Sequence, residues 1–234
     1  MRILAIGAHP DDIEFLCAGT LLKFRDRGDE IFTAVLCNGD KGHYEIGPEE
    51  LARIRRLEAE EAAKLEKATL VSIGVFPDLD IYADRESRRK VVEIIRQAKP
   101  DLILTHYPDD YMCDHSTTGR LAIDASFTAS LPNFRTESPH IKSIPPIYFM
   151  DAMAAVNFQP TDYVDISEFI EAKGKALLCH QSQYKWLKDH DGIDYVDFMK
   201  KHSAFRGVQC GVKYAEAFQR YAVWGRIRSG SILP

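Results

Sequence analysis

Residues 2–14 read Arg2-Ile3-Leu4-Ala5-Ile6-Gly7-Ala8-His9-Pro10-Asp11-Asp12-Ile13-Glu14, and the change of character at Gly7 sets the architecture. The run up to Gly7 is apolar and rich in Ile and Leu, which predicts a buried first strand. Polar residues follow at once. His9, Asp11, Asp12 and Glu14 fall within six positions. In an open α/β sheet, ligands bind outside the carboxyl ends of the strands. Imidazole nitrogen and carboxylate oxygen are also donors that Zn²⁺ takes. The stretch therefore predicts half of a metal site with a general base beside it.

Outward from this strand, residues alternate in type. Ile13, Leu16, Cys17, Thr20, Leu21 and Phe24 recur at helical spacing and predict one helix over Ile13–Arg27, closed by Gly28. A second strand follows at Ile31–Leu36, with a polar loop Asn38–His43 at its end. Glu49–Lys67 predicts a long helix burying Leu51, Ile54, Leu57, Ala62 and Leu65. A third strand is expected at Ala68–Val75, a third helix at Arg88–Ala98 before Pro100, and a fourth strand at Leu102–Thr105. A helix beginning near His115 runs to Ser130, and another strand fits Ile147–Met150. Strand and helix in alternation predict an α/β fold: a Rossmann-like, doubly wound, mostly parallel sheet with helices on both faces. The regular core covers 1–130 and a less regular extension, 131–234, completes the site, all within one domain spanning 1–234. The extension is expected to hold helices at Ile166–His180 and Tyr195–His202, and to end in a frayed tail or contact arm at Ser229–Pro234.

Composition narrows the function. A hydrophobic share of 45% over 234 residues supports a sizeable core, and a net charge of -5 speaks against a nucleic-acid partner. The five cysteines (17, 37, 113, 179 and 210) form no CxxC pair, which predicts a reduced protein. No stretch of 18 apolar residues and no leader-like basic and apolar opening is present, so the expectation is a cytoplasmic protein without a membrane partner. Dinucleotide binding fails at the first strand, because Gly7-Ala8-His9-Pro10 replaces GxGxxG.

Capping of the next helix would explain one aspartate after the strand. It does not explain His9-Pro10 and a second aspartate. His9 and Asp12 are therefore the expected metal ligands. A third donor should come from the loop after the fourth strand, His106-Tyr107-Pro108-Asp109-Asp110-Tyr111-Met112-Cys113-Asp114-His115. His115, opening a helix, is the choice. Asp114 would orient a neighbour or cap that helix. His106 is a weaker candidate, since a histidine at a strand end can hydrogen-bond within the core, and Cys113 reads more simply as a lone thiol. Two histidines and one carboxylate suit Zn²⁺ with an open position, but also Fe²⁺, Co²⁺ or Mn²⁺.

Ala8-His9-Pro10-Asp11-Asp12-Ile13-Glu14 resembles the AHPDDxE signature of the LmbE-like, or PIG-L, family of zinc-dependent N-deacetylases. Asp114-His115 is similar to the family's downstream histidine motif. Arg55 with Glu58 resembles its RxxE, Phe76-Pro77-Asp78 its PD turn, and Val212–Phe218 its YAEAF-like segment. The resemblance implies hydrolysis of an N-acetyl group on a small molecule, usually a glucosamine-type sugar. It implies His9, Asp12 and His115 as zinc ligands and Asp11 as general base. Arg55 and Asp78 would touch substrate or support the site. Homo-oligomers are expected by family analogy.

One departure stands out. Where many members carry HPDH, this chain has Met112-Cys113-Asp114-His115. Methionine cannot donate a proton. His106, Tyr107, Tyr111 and His43 are the candidates for the vacant role, and Arg206 for closing one side of the cleft. The departure also motivates an alternative substrate, an amide of a non-sugar N-acyl metabolite. A non-enzymatic module with a structural metal is a third reading.

Overall fold

The computed structural model describes residues 1–227, 229–230 and 232–234. Among these residues, seven strands form one sheet in the order β3-β2-β1-β4-β5-β7-β6. The parallel strands are β1 (Arg2–Gly7), β2 (Glu30–Cys37), β3 (Thr69–Phe76), β4 (Leu102–Thr105) and β5 (Ile147–Met150). β6 (Asp162–Asp165) pairs antiparallel with β7 (Ala215–Arg220), which pairs antiparallel with β5. β1 is buried on both faces: Ile3 and Ala5 join one core cluster, Leu4 and Ile6 the other. The strand order reverses between β1 and β4, so the loops after these strands open a crevice between them.

The expected first helix is two. α1 (Asp12–Leu16) stops at Cys17, which has a non-helical φ of -143°, and α2 (Ala18–Asp26) restarts. The cause lies far away in sequence. The Glu216 carboxylate on β7 accepts the N–H groups of Gly19 at 2.8 Å and Thr20 at 2.7 Å, capping α2. Gly19 is needed there, because a Cβ would lie 2.8 Å from Ile166.

α3 (Pro48–Glu66) buries Leu51, Arg55, Ala59, Ala62, Ala63 and Glu66. Leu57 and Leu65, expected inside, are exposed. The helix turns its alanines and Arg55 inward, where small side chains allow close approach and the arginine reaches the β1 loop. α4 (Arg85–Ala98) and α5 (Cys113–Thr128) cover the opposite sheet face.

The last third is more regular than its pattern suggests. α6 (Ile170–Leu177), α7 (Gln181–Asp191) and α8 (Tyr195–Cys210) pack on the face that also carries α1 and α2. The expected helix Ile166–His180 is thus shorter, and α8 longer, than read. In the final segment, Ser231 lies outside the described residues, while Ile232 and Leu233 pack against the core rather than fray. No described helix is long and apolar enough to cross a membrane.

Candidate metal centre and active site

The crevice at the β1/β4 reversal holds a cavity of about 520 Å³. Its polar floor comes from the β1 loop, α3 and the start of α5. In the β1 loop, Asp11 adopts a φ of 114°, a region non-glycine residues rarely enter and one that recurs at functional sites. The turn is tied by Asp12, whose Oδ2 accepts the N–H groups of Ala8 at 3.0 Å and His9 at 2.7 Å.

Of the imidazoles around Asp12, two are each held by a second carboxylate. His9 Nε2 lies 2.9 Å from Asp114 Oδ2, which leaves Nδ1 facing Asp12 Oδ2 at 3.7 Å. His115 Nδ1 lies 3.4 Å from Asp110 Oδ2, which leaves Nε2 facing Asp12 Oδ1 at 3.2 Å. Nε2 of His115 is buried and makes no well-aligned hydrogen bond. Each ring is therefore gripped at one nitrogen by a carboxylate and turns the other to a common point, the arrangement that orients histidine ligands. Ligand atoms of His9, Asp12 and His115 lie within 4.8 Å of one another. The donor set fits a divalent transition metal.

Electrostatics agree. Burial opposes ionisation of Asp12, yet the charges and hydrogen bonds of His115 and His106 hold its carboxyl well below the usual range. Burial also opposes the charge on His115, but Asp12 and Asp110 outweigh it and push the imidazole up to about 10. A divalent cation among the same groups would take the place of that proton, the exchange that metal binding requires.

Asp11 differs from Asp12. Burial pushes its carboxyl up to about 6, against the pull of Arg55. Arg55 Nη2 lies 3.3 Å from Asp11 Oδ2 and also donates to the Pro10 carbonyl. Gly39, at φ 76°, lets the arginine through, since a Cβ would stand 2.6 Å from its Cδ.

The other expected residues have distinct places. Asp78 lines the cleft and accepts the N–H groups of Gly39 at 2.7 Å and Lys41 at 3.3 Å, shaping that loop. His106 is fully buried, with Nε2 3.0 Å from Asp12 Oδ2 and its ring stacked on His115 at 3.9 Å. Burial and the neighbouring His115 lower its pKa, so it props Asp12 as a neutral ring. Asp114 also accepts the Leu79 N–H at 2.9 Å. His43 turns away, its Nδ1 accepting the N–H groups of Glu45 and Ile46 in its own loop. Arg206 does not wall the cleft. It forms a buried two-pronged pair with Asp151. Burial raises the Cys113 thiol, away from the thiolate a metal needs. Glu14 is buried beside His180, 3.1 Å from its Nε2.

Met112 lines the cleft, whereas His106, Tyr107, Tyr111 and His43 do not. Two residues escaped the sequence reading. Asp110 is one aspartate among three in its loop, and nothing local marks it as the grip on His115. Tyr195, from α8, is 3% exposed, lines the cleft and stacks on Phe15. Burial, then Asp11 and Asp12, raise its hydroxyl well above the ordinary value and keep it protonated.

Comparison with known proteins adds to this geometry. Residues 4–126 match the family model PIG-L, described as GlcNAc-PI de-N-acetylase. The diacetylchitobiose deacetylase of Thermococcus kodakarensis is 30% identical over 230 residues, covering 93% of this chain and 82% of that protein. The solved N,N′-diacetylchitobiose deacetylase from Pyrococcus horikoshii is similar at a TM-score of 0.82 and 29% identity, covering 93% of this chain and 82% of its own. A 4-carboxy-2-hydroxymuconate hydratase from Pseudomonas putida shares the fold at a TM-score of 0.82 and 21% identity, covering 99% and 100%. Below a quarter identity, that likeness concerns architecture alone. With the matched model spanning β1 to α5, where all of the converging donors lie, the chain belongs to the PIG-L family of de-N-acetylases.

Proposed function

We propose that the chain is a zinc-dependent hydrolase that removes the N-acetyl group from a small N-acetylglucosaminyl compound, with Asp11 as general base. The observation that carries this reading is a buried carboxylate, Asp11, beside three convergent donors yet outside their set. His9 through Nδ1, Asp12 through its carboxylate and His115 through Nε2 would hold the ion. When bound, zinc supplies Lewis acidity toward the amide carbonyl and lowers the pKa of water from 15.7 to about 7.

The chain's own groups do the rest. Asp11, raised only to about 6, is ionised at neutral pH and accepts the proton of the attacking water. It then returns that proton to the nitrogen as the C–N bond breaks, releasing acetate and the free amine. Arg55 holds the Asp11 carboxylate in place. Tyr195, kept protonated, offers an O–H to charge developing on the carbonyl oxygen. The reading takes residues 1–234 as one deacetylase domain. The relatives named as diacetylchitobiose deacetylases support an N-acetylated amino sugar as substrate.

The test is amine release from N-acetylglucosamine, diacetylchitobiose and a panel of non-sugar N-acetyl compounds by zinc-loaded protein. Turnover of the sugars is expected. Asp11→Asn should lower it by about 10²–10⁴-fold, with zinc content by elemental analysis unchanged. Turnover of non-sugar compounds alone overturns the sugar class. Near-normal turnover by the variant overturns the role of Asp11.

A further inference from the structure

Above the polar floor, much of the cleft wall is apolar, with Lys41 and Gln183 as its polar members. Leu79, Met112, Met153, Leu187, Ile193 and Phe198 line it, brought from the β3–α4 loop, the start of α5, the turn after β5, α7, the α7–α8 link and α8. Leu79 is 60% exposed and Ile193 38% exposed. Leu79 also sits at φ 65°, a backbone region that is strained for leucine. Its N–H, bonded to Asp114 at 2.9 Å, holds it there. Met112 N–H likewise bonds Asp110 at 2.9 Å. Leu79 and Met112 thus line the cleft from backbone that is tied to the carboxylates gripping His9 and His115. The apolar lining and the polar floor belong to one cleft.

A bare hexosamine suits this mouth badly. Away from Lys41 and Gln183, its hydroxyls would lose water against side chains that offer no hydrogen bond, which is unfavourable. Concave apolar surface with a few convergent polar groups is instead how sites hold a partly apolar ligand. We infer that the substrate carries an alkyl or aryl group that this rim covers while its amide lies on the polar floor. The inference rests on the deacetylase reading and refines its substrate class.

Two probe series separate the sources of that group: glucosamine with N-acyl chains from acetyl to hexanoyl, and N-acetylglucosamine β-glycosides from methyl to hexyl. Amine release by the zinc-loaded enzyme gives kcat/KM. Calorimetry on zinc-loaded Asp11→Asn gives affinity without turnover. In one series both should rise about threefold to fourfold per methylene until the rim is filled. A rise in the acyl series places the group on the acyl side, and a rise in the glycoside series places it on the sugar. Leu79→Asn, which tolerates the same φ, and Ile193→Ser should flatten the slope in that series. A flat or falling slope in both series overturns the inference, as does an unchanged slope in both variants. Tightening affinity without amine release from any probe would leave the apolar rim standing and overturn the deacetylase reading instead.

Discussion

Asp110 and Asp114 do the same job on opposite sides of the centre. Each holds one imidazole at the nitrogen that faces away from Asp12. The charge of each carboxylate both fixes the tautomer and makes the outward nitrogen more basic. Asp110→Asn keeps the size and an acceptor but removes the charge. Zinc affinity is expected to fall about 10–100-fold, read by competition with a chelating dye, and unchanged affinity would remove Asp110 from this role. At this scale, the sequence was informative wherever the chain bends back on itself. His9 and Asp12 are three apart at a strand end, so any turn there brings them together. His115 followed from the parallel sheet, which puts the ends of β1 and β4 on one edge. Tyr195 was out of reach, because its place depends on how α8 packs over Phe15, 180 residues earlier.

The break at Cys17 shows what an element owes to distant partners. Apart from Gly19, nothing in residues 13–27 interrupts the helical pattern, and no proline marks the spot. The break follows from Glu216, whose carboxylate satisfies two N–H groups of α2 and pairs with the buried Lys173 at 2.6 Å. Removing one partner of a buried pair leaves an uncompensated charge, which costs about 3–5 kcal/mol. Glu216→Ala should lose stability of that order in urea unfolding. Adding Lys173→Met should recover part of the loss, and strict additivity of the two would deny the coupling. The turned face of α3 has a similar origin. Its leucines give the larger apolar signal, but Arg55 and the alanines take the buried side, where Arg55 lies beside Asp11.

Across the whole molecule, the donors come from both sides of the strand reversal, so bound metal should tie the two halves of the sheet edge together. A ligand that binds only the folded state, at a thousandfold excess over its Kd, adds about 4 kcal/mol. Thermal unfolding of the wild type is therefore expected to rise by about 10 °C with zinc. His115→Ala should abolish that rise. Behind the centre, Glu66 is buried with both carboxylate oxygens unpartnered. Burial first, then Glu14 and Glu216, raise its carboxyl well above the ordinary 4.5. Folding at neutral pH must then either bury a charge or take up a proton. Glu66→Met should stabilise the protein by about 1–2 kcal/mol at pH 7. Since a raised folded-state pKa contributes stability below 4.5 and loses it as pH rises, the gap between variant and wild type should narrow toward pH 4. A gap independent of pH would mean that Glu66 does not titrate on unfolding.

Local pattern was enough for the parallel core, its two faces and the meeting of His9, Asp12 and His115. A buried strand, a polar turn and a helix face are written in residues within a few positions of each other, and a parallel sheet then places strand ends by rule. Packing decided the rest: the split of α1 from α2, the inward face of α3, the three-strand edge β5-β7-β6, and the places of Asp110 beside His115 and Tyr195 in the cleft. Most of these depend on groups distant in sequence, such as Glu216 and Gly19 or Tyr195 and Phe15, meeting in a low-dielectric interior. There a buried polar atom must find a partner, and the chain bends locally to supply one.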